Sequence, residues 1–116
     1  MTSNICQGLI NKEWRSYDLG DVPATKGIYA IGNERGMFLY VGHSNDMHRR
    51  LGEHKHGQQV IDQFVKEEFR QNNGVNLRIK WIEEGDHACL EGDYLKCLAE
   101  KLGYWPEYNM KGGNTC

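Results

Sequence analysis

Long apolar runs, prolines and an excess of positive charge are scarce or absent in this sequence. No stretch of its 116 residues approaches the length of a membrane-spanning helix, and the first residues, MTSNICQGLINKEW, lack the basic and apolar parts of a secretory signal. We therefore expect an intracellular protein, cytoplasmic or nuclear, without a membrane partner. Its 14 Lys and Arg residues are balanced by 16 Asp and Glu residues, for a net charge of −2. That balance excludes a surface that is basic all over, so nucleic acid would have to bind to a local patch.

Closely spaced cysteine pairs are also absent. The cysteines are Cys6, Cys89, Cys97 and Cys116, and no two of them form a Cys-x-x-Cys motif. Without a secretory signal, this wide spacing favours reduced thiols over a disulfide framework. We therefore expect the cysteines to be reduced.

The composition that remains is that of an ordinary globular chain. Hydrophobic residues make up 39% of the sequence and charged residues 26%, with no repeat or low-complexity segment. The length predicts one domain over residues 1–116, too short to hold a catalytic domain and a separate recognition domain. Within it, we distinguish an N-terminal extension (1–25) from a region of about 22–113 that carries the motifs described below.

Two short apolar runs predict a β-hairpin. They are GIYAI (27–31) and FLYVG (38–42), and the segment between them supplies Gly32 and Gly36 for a turn. A third strand is predicted in VNLRIKWIEE, where alternation places Leu77, Ile79 and Trp81 on one side. Each of these strands carries a tyrosine or tryptophan among its apolar residues.

Three helices are predicted from helical spacing of apolar residues, over about 46–56, 58–73 and 86–102. In the first, Met47, Leu51 and His54 share one stripe. In the second, the shared face consists of Val60, Ile61, Phe64, Val65 and Phe69. The resulting order predicts an α+β fold in which helices flank an antiparallel-rich, three-stranded sheet.

Two charged residues occupy positions where this fold expects apolar ones. Glu91 precedes Leu95 and Leu98 on the inward stripe of the last helix, and Arg50 lies beside Leu51 on the first helix. A carboxylate at the edge of a core is costly unless a positive charge meets it. One interpretation is an Arg50–Glu91 ion pair that holds the two helices together. The other is a functional site with a carboxylate for a metal and an arginine for a phosphate.

The tyrosines and these charged residues together carry a family resemblance. Gly27-Ile28-Tyr29, then ten residues, then Tyr40-Val41-Gly42 resembles the signature of the GIY-YIG nucleases, with valine in the middle of the second triplet. The residues that follow in the same order as the family's motifs are Arg50, His54, Glu91 and Asn109. The resemblance implies a small GIY-YIG-type domain and a metal-dependent endonuclease that cuts DNA by attack of an activated water.

The resemblance also implies which side chains bind the metal and the phosphate. Glu91 would be the metal ligand, and a single carboxylate suffices for Mg²⁺ or Mn²⁺ because magnesium keeps much of its hydration shell. Arg50 would contact the scissile phosphate, since its fixed fork of donors suits a pair of oxygens.

The remaining motif residues acquire roles from the same resemblance. Tyr29 would be the general base, and Tyr40 would orient the water or the scissile phosphate. His54 would assist with the attacking water or the phosphate. Gly42 and Asn109 would have structural or supporting roles. Because a phenol titrates near 10 in water, such a base needs help from nearby cations.

A second class of function stays open at this point. The alternative is a non-catalytic module that keeps the fold and binds nucleic acid or a protein, with its polar cluster serving stability. For the enzyme, the expected partner is DNA. Because basic residues are few, we expect targeting to depend on self-association, on a partner protein or on a distorted substrate.

Overall fold

The computed structural model describes residues 4–110 and contains an antiparallel sheet. Its strands are β1 (Arg15–Ser16), β2 (Gly27–Asn33), β3 (Phe38–Ser44) and β4 (Leu77–Glu83), in the order β1-β4-β2-β3. The predicted hairpin and third strand are confirmed, but the sheet has four strands rather than three. With two residues, β1 is too short to show alternation in the sequence, and it forms because Arg15 and Ser16 pair with the edge of β4.

The helices are α1 (Gln7–Asn11), α2 (Met47–Glu53), α3 (Val60–Asn72) and α4 (His87–Leu102). α2 is shorter than predicted and leaves His54 as its C-terminal cap. α3 begins with a capping box between Gln59 and Asp62 and ends at Asn72, followed by the cap residue Asn73, whose φ of 56° is left-handed. Local capping chemistry therefore sets where both helices stop and start.

The helices cover both faces of the sheet. Because side chains alternate along β2, Ile28 and Ala30 point into a core shared with α1 and α4, whereas Tyr29 and Ile31 point into a core shared with α2 and α3. This confirms the predicted α+β class.

One residue of the predicted α3 stripe does not belong to it. Ile61 and Val65 are buried, but Val60 is 68% exposed. Adjacent helical residues point about 100° apart, so Val60 and Ile61 do not face the same core.

The expectation of reduced thiols is wrong. Cys6 and Cys97 form a disulfide that joins the residue before α1 to the middle of α4, and both residues are buried. Cys89 is disulfide-bonded as well, and Cys116 lies outside the described residues. The Cys6–Cys97 bond has no local signature in the sequence, because its partners are 91 residues apart and meet only through the packing of two helices on the sheet. Within residues 4–110, no helix has the length and apolar character needed to cross a membrane.

Candidate active site

The two tyrosines of the hairpin meet on the face of the sheet that α2 and α3 cover. Tyr29 is fully buried and Tyr40 is partly buried, and their ring centroids are 6.4 Å apart. Gly42 lies opposite Tyr29 in the β2–β3 pairing. A Cβ at Gly42 would collide with the Tyr29 hydroxyl and press on the Tyr40 ring. A glycine at this position therefore gives both tyrosines the room they occupy.

A chain of buried polar groups continues from Tyr29. Its hydroxyl lies 2.6 Å from Nε2 of His54, and Nδ1 of His54 lies 2.5 Å from Oδ1 of Asp62. The other oxygen of Asp62 accepts a hydrogen bond from the backbone N–H of Gln59 as part of the α3 capping box. All three members of the chain are buried, His54 completely. Asp62 was not expected at the site, because in the sequence it reads as an ordinary first-turn acid of a helix.

Burial is the main influence on the protonation states of Tyr29 and His54. It raises the pKa of Tyr29 well above the ordinary value, so Tyr29 is a neutral phenol near pH 7. Burial also lowers the pKa of His54, and the hydrogen bond to Asp62 opposes that fall. A neutral His54 that donates from Nδ1 to the Asp62 carboxylate has Nε2 free to accept from the Tyr29 hydroxyl. Both ring nitrogens then have protein partners, so His54 presents neither to an attacking water nor to a phosphate.

Arg50 lies on α2, one turn before His54. Its guanidinium is 3.3 Å from Oε1 of Gln59 and 3.6 Å from Oε1 of Glu53. The side chain is 25% exposed, so part of it remains open to solvent. Burial raises the pKa of Tyr40, as it does that of Tyr29, and the Arg50 charge opposes the rise at both hydroxyls. The ion pair with Glu91 is not formed, because Arg50 meets Glu53 instead.

Glu91 lies on α4 and its carboxylate is mostly buried, with 14% of the side chain exposed. The carboxylate lies 3.4 Å from Nε2 of His43, but burial lowers the pKa of His43, which favours a neutral imidazole near pH 7. His43 in turn meets His87, with their Nδ1 atoms 2.8 Å apart. Neither histidine was expected at the site, although the i, i+4 spacing of His87 and Glu91 on one helix could have indicated the proximity. Burial raises the pKa of the Glu91 carboxyl, so its negative charge is incompletely compensated.

The side chains around Glu91 fit a divalent ion that keeps most of its own water. In residues 4–110, no group of three or more His, Cys, Asp or Glu side chains is arranged to hold a metal. A cage of protein ligands is therefore not available in this part of the chain, which argues against a structural zinc site. A single, incompletely compensated carboxylate suits Mg²⁺ or Mn²⁺, since Mg²⁺ in particular binds through one or two carboxylates plus water and phosphate oxygens.

Asn109 bonds to the backbone of β3. Its amide donates to the carbonyl of Val41 at 2.9 Å and accepts from the N–H of the same residue at 2.8 Å. The neighbouring Tyr108 N–H donates to the Leu39 carbonyl. These bonds secure the outer edge of the strand that carries Tyr40 and Gly42, which supports a structural role for Asn109.

The structure thus brings most of the predicted site residues together. The rings of Tyr29, Tyr40 and His54 pack against one another, with centroid separations between 5.4 and 6.4 Å. Arg50 and Glu91 both act on the pKa of Tyr40, the first lowering it and the second raising it, after the larger effect of burial. The Glu91 carboxylate and the Arg50 guanidinium therefore lie within electrostatic reach of the same phenol.

The chain is similar to known proteins in sequence and in fold. A family model described as the GIY-YIG catalytic domain matches residues 25–94. Among solved structures, the chain is similar to the GIY-YIG N-terminal endonuclease domain of UvrC from Thermotoga maritima bound to magnesium, at 22% identity over 79% of this chain and 91% of that one, with a TM-score of 0.50. Two tyrosine-to-phenylalanine mutants of that domain, bound to its catalytic divalent cation, give 21% and 22% identity over 80% of this chain and 91% of theirs, with TM-scores of 0.53. A search of curated proteins finds no match. At these identities the structural likeness establishes a shared fold.

Proposed function

Since the chain belongs to the GIY-YIG family of catalytic domains, we propose that it is a metal-dependent endonuclease that hydrolyses DNA phosphodiester bonds with water as the nucleophile. The observation that carries this proposal is that the charges of Arg50 and Glu91 both act on the hydroxyl of Tyr40, whose ring packs beside that of Tyr29. Hydrolysis of a phosphodiester needs positive charge at the phosphate, a positioned water and a group that takes its proton.

Arg50 is the side chain that provides positive charge at the phosphate. Its guanidinium is tied down by Gln59 and Glu53 but stays 25% exposed, so a phosphate oxygen can approach its remaining N–H donors. Donors that are already oriented stabilise the charge that develops on the phosphate oxygens without reorganising during the reaction. An exposed arginine free to move would do this less well.

Glu91 is the residue that would hold the metal. A bound Mg²⁺ or Mn²⁺ would act as a Lewis acid on the phosphate oxygens and help to orient the substrate. The carboxylate contributes one anionic ligand, and its shortage of compensating charge favours binding of a cation. The 3.4 Å distance to Nε2 of His43 is long, so the Glu91 carboxylate has no strong ion pair that would compete with a cation.

Tyr40 and Tyr29 act on the nucleophile. Tyr40 is partly exposed, and because its pKa is raised by burial it remains a phenol that donates a hydrogen bond to the water or the scissile phosphate. Tyr29 lies behind it and takes the proton from the water. The high pKa of Tyr29 means that a phenolate is not available in advance, so this phenol must pass on its own proton as it accepts another.

The test is cleavage of plasmid DNA by purified protein in Mg²⁺ or Mn²⁺. Nicked and linear products are separated from supercoiled plasmid on a gel. Activity that chelation removes and metal restores would support the proposal. Binding without cleavage, in preparations that contain metal, would favour the non-catalytic binding module instead.

A further inference from the structure

We propose that Asp62 is a positioning residue that orients His54 as the proton acceptor behind Tyr29, so that Tyr29, His54 and Asp62 form a proton relay. The relay rests on the proposed nuclease function. It adds Asp62 to that function, as the residue that allows the Tyr29 phenol to accept a proton by holding His54 in place. It is carried by the two short hydrogen bonds that link these side chains through the interior.

Asp62 makes one more hydrogen bond than a helix cap requires. Capping α3 occupies one carboxylate oxygen, which accepts from the backbone N–H of Gln59. The second oxygen reaches His54, although Asp62 is 2% exposed and His54 is fully buried. Burying both a carboxylate and an imidazole is costly unless they satisfy each other. The pairing fixes one tautomer, in which Nδ1 carries the hydrogen and Nε2 accepts from Tyr29.

The proton transfers balance within the relay of Tyr29, His54 and Asp62. As the oxygen of the attacking water forms its bond to phosphorus, one of its O–H bonds breaks and the proton moves to the Tyr29 oxygen. The original hydroxyl proton of Tyr29 moves at the same time to Nε2 of His54. The resulting imidazolium lies against the Asp62 carboxylate, whose negative charge stabilises it. When the bond between phosphorus and the leaving oxygen breaks, that oxygen takes a proton from solvent water, and the proton held by His54 returns through Tyr29 to water.

This sequence of transfers removes the difficulty posed by the pKa of Tyr29. Burial raises that pKa, so a free phenolate would be rare near neutral pH. A phenol that gains and loses a proton together never has to ionise. Because Tyr29 is fully buried, the attacking water has to enter beside Tyr40, the partly exposed ring that packs against it.

The pH dependence follows from the groups that face His54. Ionisable side chains approach it from four elements: Tyr29 of β2, Tyr40 of β3, Arg50 and Glu53 of α2, and Asp62 of α3. The relay needs a neutral imidazole, so activity is lost as pH falls through the pKa of His54. Removal of the Asp62 charge lowers that pKa, because Asp62 raises it. The acid limb of the rate profile then moves to lower pH, while the maximal rate drops because His54 is a weaker acceptor.

The experiment compares Asp62→Asn with Asp46→Asn. Both changes replace a helix-capping aspartate with an isosteric amide that still accepts a backbone N–H, but Asp46 caps α2 through Arg49 and does not touch His54. For Asp62→Asn, we expect kcat on plasmid DNA to fall by about 100-fold with the acid limb shifted to lower pH. We expect Asp46→Asn to match wild type. Circular dichroism and the melting temperature show whether each variant is folded.

Nitrogen-15 NMR of the imidazoles provides a readout that needs no cleavage. In wild-type protein, we expect His54 to carry its hydrogen on Nδ1, and in Asp62→Asn to shift toward the Nε2–H tautomer. A wild-type His54 with its hydrogen on Nε2 would overturn the relay, even if the variant fails to fold. So would a folded Asp62→Asn protein that cleaves as fast as wild type with the same pH profile.

Failure of the nuclease function looks different from failure of the relay. If wild-type protein leaves DNA intact in Mg²⁺ and Mn²⁺, the proposed function is wrong and the relay has no reaction to serve. If wild type cleaves and only the Asp62→Asn results disagree, the function stands and the relay falls.

Discussion

The Tyr29 hydroxyl lies 2.6 Å from Nε2 of His54, and both side chains are fully buried. His54, four residues after Arg50, was expected to assist with the attacking water or the phosphate. Its position behind Tyr29 instead means that any effect of His54 on the substrate passes through the phenol. The same contact gives the two tyrosines different surroundings, because Tyr29 has a buried histidine partner whereas Tyr40 is partly exposed.

Replacement of Glu91 by glutamine is expected to abolish cleavage while leaving the fold intact. The amide keeps the volume of the side chain but loses the charge that would bind the metal. Plasmid nicking at saturating Mg²⁺ measures the loss, and Glu100→Gln, at an exposed position of the same helix, is the matched control. Undiminished nicking by pure Glu91→Gln protein would show that Glu91 is not the ligand of the catalytic metal.

The same variant has a predicted effect on stability. Because burial raises the pKa of Glu91, the folded state holds its proton more tightly than the unfolded state does. In metal-free buffer, wild-type protein is therefore expected to lose stability relative to Glu91→Gln as pH rises from the ordinary glutamate pKa through the raised one. Urea unfolding at pH 4 and pH 7 checks this, and an opposite trend would show that the Glu91 charge is well compensated.

Arg50→Lys is expected to reduce kcat by about 100-fold or more with little change in melting temperature. Lysine keeps the charge but lacks the planar fork of donors that holds two phosphate oxygens. Arg49→Lys is the control, since Arg49 is exposed and its charged contacts are with its own helix and the cap residue Asp46. A collapse of the melting temperature with normal cleavage by the folded fraction would mean that Arg50 is a structural residue.

Gly42→Ala is expected to destabilise the protein by about 1–3 kcal/mol and to reduce cleavage, because the new methyl group would overlap the Tyr29 hydroxyl. Gly85→Ala provides the comparison, since nothing lies within 4 Å of a Cβ at that position. Urea unfolding and plasmid cleavage are measured on both variants. Equal stability of the two would mean that the tyrosines are free to move away from Gly42.

The double variant Cys6→Ala/Cys97→Ala is expected to lose about 2–5 kcal/mol of unfolding free energy, since the native disulfide closes a long loop between α1 and α4. Paired replacement is preferable to a reducing agent, because Cys89 is also disulfide-bonded and a reductant would act on both. Denaturant titration measures the change. A stability equal to wild type would show that the helix packing alone holds this face together.

Binding of linear DNA is expected to be weak at physiological salt. Few basic residues are available, so the slope of log affinity against log salt concentration should correspond to about two to five phosphate contacts. Salt titration of Glu91→Gln protein with linear and branched duplexes tests this, with sedimentation to report self-association. Tight, steeply salt-dependent binding of linear duplex by a monomer would reveal a basic surface that the sequence does not suggest.

The sequence by itself determined the hairpin, the third strand, the three longer helices and the order of the motif residues. These features depend on residues close together in the chain: alternation within a strand, helical spacing of apolar side chains, and glycines at the turn. Tyr29, Tyr40 and Arg50 could be identified for the same reason, because the motif is defined by the spacing of its residues along the sequence. The exposed Val60 shows the limit of this signal, since a hydrophobic residue at the first position of a helix looks the same whether or not it reaches the core.

Only the tertiary structure decided which distant residues meet. Asp62 joins His54 because the end of α2 and the first turn of α3 pack on the same face of the sheet, and His43 meets Glu91 because α4 packs against β3. Cys6 and Cys97 bond across 91 residues for a similar reason. In each case the two side chains are ordinary in their local sequence, and their chemistry changes only when folding removes water and brings them within a few ångströms of each other.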